Sequence, residues 1–263
     1  MKKYLYIYKS ELISSLSYIF NILIGFISYL VLMFIFLNLW KTIYSDPDEV
    51  ISGYTMSNMI WYVAITEIIY KTMQGRKFCR QIVNDVRGGN IAYNINKPYS
   101  FIGYSLSKHL GEITINGIMY SIFALILGFI FLGEFPDVTI ISVLAVILTL
   151  IISITINTLL VISIGLISFF IEDSNPIYWI YSKFLLIIGT LFPIEVFPIW
   201  MQGPLKYSPI YAMIYGPAKL FVDFSPELYI KIFISQIFYL IIGVMIALLL
   251  YKKGVKKLNV NGG

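Results

Sequence analysis

The sequence predicts an all-α polytopic membrane protein, and three observations carry that prediction. Hydrophobic residues make up 59% of the 263 residues and charged residues only 13%, against roughly 25% charge in a typical soluble domain. The apolar residues gather into runs long enough to span a bilayer. Between two such runs lies 189–217, GTLFPIEVFPIWMQGPLKYSPIYAMIYGP, which stays apolar and aromatic yet carries Pro193, Pro198, Pro204, Pro209 and Pro217. Proline fixes φ and has no N–H to donate, so no straight spanning helix runs through this stretch. It predicts helix ends and short helices at a membrane face.

Crossing the hydrocarbon core takes about 20 apolar residues. Six spans are predicted, at 18–40, 55–74, 105–132, 138–170, 177–198 and 228–251. They form a single transmembrane domain over 1–263, with an outer, re-entrant segment of short helices at 193–227 between spans five and six. The fourth run is longer than a crossing needs. It predicts a tilted helix, a break near Gly165 or a projection beyond the bilayer. The first residues look superficially like a signal peptide but lack a small-x-small cleavage site. The run from Ile22 to Leu39 is long enough to span, so this segment is expected to be retained.

Charge sets the orientation. One side carries Lys2, Lys3, Lys9, then Lys71, Arg76, Lys77, Arg80, Arg87, Lys97 and Lys108, and finally Lys252, Lys253, Lys256 and Lys257. The opposite loops carry Asp46, Asp48, Glu49, Glu134, Asp137, Glu195, Asp223 and Glu227 against Lys41, Lys206 and Lys219. The positive-inside rule places both termini in the cytoplasm. Glu172 and Asp173 run against the trend, but acidic residues weigh little in that rule. Trp40, Trp61 and Trp200 fall at predicted outer span ends and Trp179 at an inner one, as an aromatic belt would have them.

Residues 3–21 show amphipathic spacing. Lys3, Ser10, Ser14, Ser17 and Asn21 recur on one face, and Leu5, Tyr8, Leu12 and Leu16 on another. This predicts an interfacial helix at 1–17, its lysines toward lipid phosphates. The longest polar stretch is 75–104. A helix from Lys77 to Val86 puts Phe78, Ile82 and Val83 on one side and Arg80, Asn84 and Arg87 elsewhere. Gly88 and Gly89 supply a left-handed cap. A second short turn, Asn90 to Asn96, stops before Lys97-Pro98, because the residue preceding a proline disfavours helix. Such a helix-Gly-Gly-helix unit suits docking into another protein; the plainer alternative is a basic loop that only sets orientation.

Ionisable groups at membrane depth are functional candidates by default. Glu67 lies inside the second span, with Lys71 one turn later in a favourable pairing order. Glu112 and the single histidine, His109, share a helix face near the start of the third span; their spacing alone does not make a metal site, and none is expected. Thr149, Ser153 and Asn157 recur every four residues in the fourth span. Asn116 marks the third, where Gly117, Ser121, Ala124 and Gly128 give small-xxx-small steps. These patterns serve helix packing or, more sharply, a translocation path.

The net charge of +5 is distributed around the spans rather than in a patch, so nucleic acid is not the expected partner. Cys79 is the lone cysteine, which excludes an internal disulfide. No G-x-x-x-x-G-K-[ST] phosphate loop is present, so the chain has no ATP site of its own. No G-x-S-x-G or catalytic triad is present either. An abundance of Ile, Asn, Lys and Tyr points to a bacterium with an AT-rich genome.

The order in the proline-rich stretch is a glycine, Phe-Pro, a second Phe-Pro, Ser-Pro and Gly-Pro. It resembles the region after the fifth span of ABC-2-type permeases, the membrane subunits of ATP-driven exporters. The step Arg87-x-Gly89 followed by Lys97-Pro98 is similar to that family's pattern before the third span, and the interfacial helix also fits; the resemblance covers nearly the whole chain. It implies a coupling helix within 78–98 that sits in a groove of an ATPase subunit, with Arg80, Asp85, Arg87, Gly89, Lys97 and Pro98 transmitting motion. It also implies a permease dimer, homo- or heterodimeric, above two ATPase subunits that bind ATP and magnesium, with no cofactor in this chain. The expected place is a bacterial cytoplasmic membrane, and the expected cargo a hydrophobic or amphipathic lipid, peptide or drug. Glu67, Asn116, Ser153 and Asn157 are expected on its path, and Pro193, Glu195, Pro198 and Pro209 at an outer gate. Two alternatives remain: an ion-coupled secondary transporter using Glu67, and an intramembrane lipid-modifying enzyme using His109 and Glu112.

Overall fold

A computed structural model describes residues 2–17, 19–46, 49–95, 97–132, 136 and 138–261. Asp48, Asn96, Glu134, Asp137 and the side chain of Asn21, all used in the expectations above, lie outside the described residues. The described chain is almost wholly helical: α1 (Lys2–Leu16), α2 (Ile19–Ile43), α3 (Met56–Thr72), α4 (Arg76–Arg87), α5 (Ile91–Ile95), α6 (Phe101–Leu132), α7 (Ile140–Leu166), α8 (Asn175–Phe184), α9 (Ile199–Lys206), α10 (Gly216–Val222) and α11 (Pro226–Asn261). Two π-helical turns, Leu185–Thr190 and Tyr211–Tyr215, and two 3₁₀ turns, Ile167–Phe169 and Ile194–Val196, join them.

Four helices among the described residues, within α2, α6, α7 with its 3₁₀ turn, and α11, are long and apolar enough to cross a membrane. The other two predicted spans are shorter. α3 has 17 residues, a length of about 25 Å at the α-helical rise. The fifth run is α-helical for 10 residues and π-helical for the next 6; it ends at Thr190, ahead of Pro193 and short of the predicted end. In the fourth run, α geometry ends at Leu166 and tightens to 3₁₀, so the break falls one residue past Gly165. The last helix runs beyond the predicted 251, because its lysine-rich tail contains no proline to end it.

Two residues show how the core is fitted. Trp40 and Trp61, expected in an aromatic belt, are instead buried inside the bundle, while Trp179 and Trp200 are exposed. Trp61 fills the space opposite Gly128, where any Cβ would overlap its ring. The small residue on α6 therefore admits a large one from α3.

α1 and α6 run side by side in the same direction. Tyr4 Oη accepts from the Ser100 N–H (2.9 Å), and Tyr8 Oη donates to Thr114 Oγ1 (3.1 Å). Thr139 and Ser142 form a capping box at the start of α7. The bundle has a basic end, with α1, α4, α5, the turn after α7 and the tail of α11. The opposite, proline-rich end carries the α2–α3 turn and α9.

Candidate functional site

α4 places its apolar residues at helical spacing, and the structure uses every one. Phe78, Cys79, Ile82, Val83 and Val86 are buried, while Lys77, Arg80, Gln81, Asn84 and Arg87 are exposed. The apolar stripe packs on α7, α8 and the 3₁₀ turn after α7. Gly165 permits this approach: a Cβ there would lie 2.8 Å from Ile82. At the start of α4, the Gly75 N–H donates to Tyr178 Oη (2.8 Å), and the Phe78 ring stacks on His109 at 4.2 Å. At its end, the Gly88 N–H donates to the Asn84 carbonyl (2.8 Å). Gly89 then adopts φ +72°, the left-handed step that the Gly-Gly pair predicts. Ile91 of α5 is buried and Tyr93 is 75% exposed.

The structure thus gathers Arg80, Asp85, Arg87 and Gly89 on α4 and the turn that ends it. Arg80 and Arg87 are exposed and Asp85 is half-buried, its carboxyl raised by burial and partly lowered by Lys108. Burial, with Asp173 adding to it, pushes the Cys79 thiol up to about 12. Such a thiol is structural rather than reactive. Lys97 and Pro98 sit apart, where the chain returns to α6. The Pro98 carbonyl accepts from Lys3 of α1, and Lys97 lies over the Tyr99 ring at 5.8 Å. Beside the unit, the turn after α7 presents Asp173. Its carboxyl is held below the usual range by the Asn175 N–H (2.9 Å) and side-chain amide (2.6 Å), with Arg87 and Arg80 contributing. A groove of about 310 Å³ runs between the end of α4, half-exposed Phe170 and Ile171, and Lys257 of α11.

The polar stripe of α7 points inward. Ser153 and Asn157 are fully buried. Asn157 donates to the Met73 carbonyl (2.9 Å) and accepts from Tyr181 Oη (2.7 Å), tying α7 to the end of α3 and to α8. Ser153 donates to the Ala212 carbonyl (3.3 Å). Gln236 of α11, which the sequence reading passed over, donates to Ser153 Oγ (2.9 Å) and to the carbonyls of Thr149 and Ala212 (3.0 Å each). Its one available signal was being a polar residue inside an apolar span.

Glu67 is fully buried, and neither carboxylate oxygen has a hydrogen-bond partner among the described residues. The expected pair with Lys71 does not form. Lys71 instead donates to Ser28 Oγ (3.0 Å), which keeps its ammonium at the rim, where burying it costs less. His109 is also buried and lies 3.8 Å from Glu112. Among the described residues no group of His, Cys, Asp or Glu is arranged to hold a metal. Asn116 is half-buried and lines a cavity beside α1.

At the proline-rich end, Pro193 and Pro198 sit at the starts of the 3₁₀ turn and α9, and Pro209 separates α9 from the second π turn. Glu195 accepts hydrogen bonds from Tyr215 and from Tyr54 Oη (3.4 Å). Lys219 stacks over the Tyr54 ring at 4.2 Å and pairs with Asp223 at 2.9 Å. Residues 212–218 are buried against α3 and α7, so this part of the segment folds back into the bundle.

No curated protein matches the chain by sequence. A family model described as ABC-2 family transporter protein matches residues 27–262, which include α4, the inward polar stripe and the proline-rich segment, and the chain belongs to that family.

Proposed function

We propose that this multi-pass membrane protein is the permease subunit of an ATP-driven exporter, docking on separate ATPase subunits through α4 and α5. The observation that carries the reading is the division of α4: its apolar face is spent on α7 and α8, while Arg80 and Arg87 face outward with no apolar role. A helix so anchored transmits a push on its outer face to two spans at once. The groove beside Phe170 extends the docking surface. In the full reading the chain crosses the membrane six times, α3 and α8 with its π turn making up the number. α1 lies at the inner interface, its exposed Leu5, Ile13 and Leu16 toward lipid. Both termini are cytoplasmic, and two permease copies, or this one and a related chain, sit above two ATPases in a bacterial plasma membrane. The path for a hydrophobic or amphipathic cargo follows Glu67 and Asn116. Ser153 and Asn157 now serve as ties between helices, and opening a path past them breaks those ties. The segment 193–227 forms the outer, re-entrant gate.

The test is co-expression with the ATPase encoded nearest to it and purification by a tag on this chain. ATPase is expected to co-purify with wild type and to be lost with Arg80→Glu/Arg87→Glu. No ATPase with a folded wild-type chain would overturn the reading.

One observation favours ion-coupled transport as a second reading: the buried, unpartnered carboxylate of Glu67. Glu67→Gln abolishes transport if a coupling ion or proton binds there and spares it if ATP drives the cycle.

A further inference from the structure

α11 is one unbroken helix from the proline-rich end to the basic end, and its two sides differ along the whole length. Ile232, Gln236, Gly243, Ala247 and Gly254 recur at steps of four and seven and are buried against the bundle. On the other side Ile234, Phe238, Ile241, Met245 and Leu249 recur at steps of three and four, each more than half exposed, as a lipid-facing stripe has them. Lys252 and Lys256 continue that stripe three and seven residues beyond Leu249, and both are exposed. The rotation of the helix at this point is fixed. Tyr251 stacks on Phe101 at 5.4 Å, and Gly254 lies so close to Phe169 that any Cβ would overlap its ring. Lys253 is exposed on the flank, whereas Lys257 turns over the Phe170 ring at 5.7 Å. Neither Lys252 nor Lys256 has an ion pair among the described residues. The one acidic residue of α11, Glu227, lies at its opposite end.

We infer that Lys252 and Lys256 bind the phosphate of an anionic phospholipid whose acyl chains lie along Met245 and Leu249. Helical side chains tilt toward the helix N-terminus, and the N-terminus of α11 is at the proline-rich end. The two lysine stems therefore lean back toward the membrane rather than out into water, as snorkelling requires. Residues four apart on a helix carry their Cβ atoms about 5–6 Å from each other, so both ammoniums reach one phosphate. This face of the helix offers two cations and no carboxylate. A zwitterionic headgroup would bring its own ammonium to those cations, whereas an anionic one brings only its phosphate. An acidic protein surface has the same sign, but Lys252 stands only about 4.5 Å along the axis from Leu249, at headgroup depth, where lipid is the neighbour. The site needs α11 to span the membrane and stands whether or not the chain docks on an ATPase.

The experiment exposes the purified full-length chain in detergent to an equimolar mixture of dioleoyl-phosphatidylglycerol, -phosphatidylethanolamine and -phosphatidylcholine. Retained lipid is then counted by mass spectrometry. Phosphatidylglycerol is expected to be enriched roughly tenfold over the other two at low salt, in keeping with two lysines at a charged membrane surface, and less as salt screens them. Lys252→Gln/Lys256→Gln lowers that enrichment by about threefold or more, and Lys252→Arg/Lys256→Arg keeps it. Lys206→Gln/Lys231→Gln, which removes the same charge from two exposed positions toward the proline-rich end, also keeps it. Equal retention of the three lipids by wild type overturns the inference. So does enrichment that survives Lys252→Gln/Lys256→Gln in protein that elutes as a single folded species; if that variant also loses its ATPase, the stripe serves the ATPase instead. An equal loss in Lys206→Gln/Lys231→Gln overturns it too, since net charge rather than the stripe would then hold the lipid. If the double variant does not insert, Lys256→Gln alone is read; unchanged enrichment there also overturns it.

Discussion

At the basic end of the bundle, Arg80, Arg87 and Lys97 stand in solvent and the ion pairs are long, whereas at the proline-rich end Glu195 is turned inward and bound by two tyrosine hydroxyls. The two ends use comparable residue types for opposite purposes. α4 buries its apolar face and leaves its charges outward, where a partner can read them. The segment 193–227 turns Glu195 toward the bundle, where this single acceptor joins the α2–α3 turn, the 3₁₀ turn and the second π turn, while Lys206, Asp223 and Glu227 stay exposed. A half-buried carboxylate bound by two hydroxyls fixes a structure, because leaving those partners unmet costs more than the bonds gain. Exposed arginines add little to stability and are free to serve recognition.

The comparison breaks most clearly at Gly165. Gly165→Leu forces a side chain into Ile82 and lifts α4 from α7. We expect destabilisation of about 1–3 kcal/mol, the usual cost of overpacking, together with loss of ATPase co-purification. A thermal melt and a tag pull-down read the two effects separately. Next in size is Glu195→Ala, which leaves the hydroxyls of Tyr54 and Tyr215 without their acceptor. It should cost about 1–3 kcal/mol in a thermal melt and leave ATPase binding intact, while Glu195→Gln recovers part of the loss. An unchanged melt would mean that the proline-rich end is not tied as described. A smaller effect concerns Cys79. With its thiol pushed up to about 12 by burial against α7, it should react slowly with a maleimide at neutral pH and become reactive in Gly165→Leu. Equal labelling of both would place α4 off the bundle in wild type. The smallest stability effect belongs to Arg80→Glu/Arg87→Glu. We expect a melt within about 0.5 kcal/mol of wild type, as for surface substitutions generally, despite the loss of the ATPase.

Much of the basic end was legible because its signals are local. The apolar spacing of Phe78, Ile82 and Val83 and the Gly88-Gly89 stop are properties of twelve or so consecutive residues, and helix period and capping decide them. The inward polar contacts were less legible because each depends on a partner far along the chain. Nothing near Asn157 announces Met73 or Tyr181, and nothing near Glu195 announces Tyr54. The α2 and α3 tryptophans were misplaced for the same reason: an aromatic residue near a span end fits a lipid belt equally well until a glycine such as Gly128 is seen to open room for it inside. Glu67 and Lys71 followed a sound local rule that burial overrode, since the lysine could reach Ser28 at the rim and the glutamate could not leave the core.

The central claim is that the basic end, through α4 and α5, receives the ATPase. A photo-crosslinking amino acid placed singly at Arg80, Tyr93 and Trp200 tests it directly, since all three positions are exposed and Trp200 lies at the proline-rich end. With the chain and its ATPase together in membranes, the account predicts crosslinks to the ATPase from positions 80 and 93 and none from 200. Crosslinking from 200, or from no position while ATPase co-purifies, would contradict it.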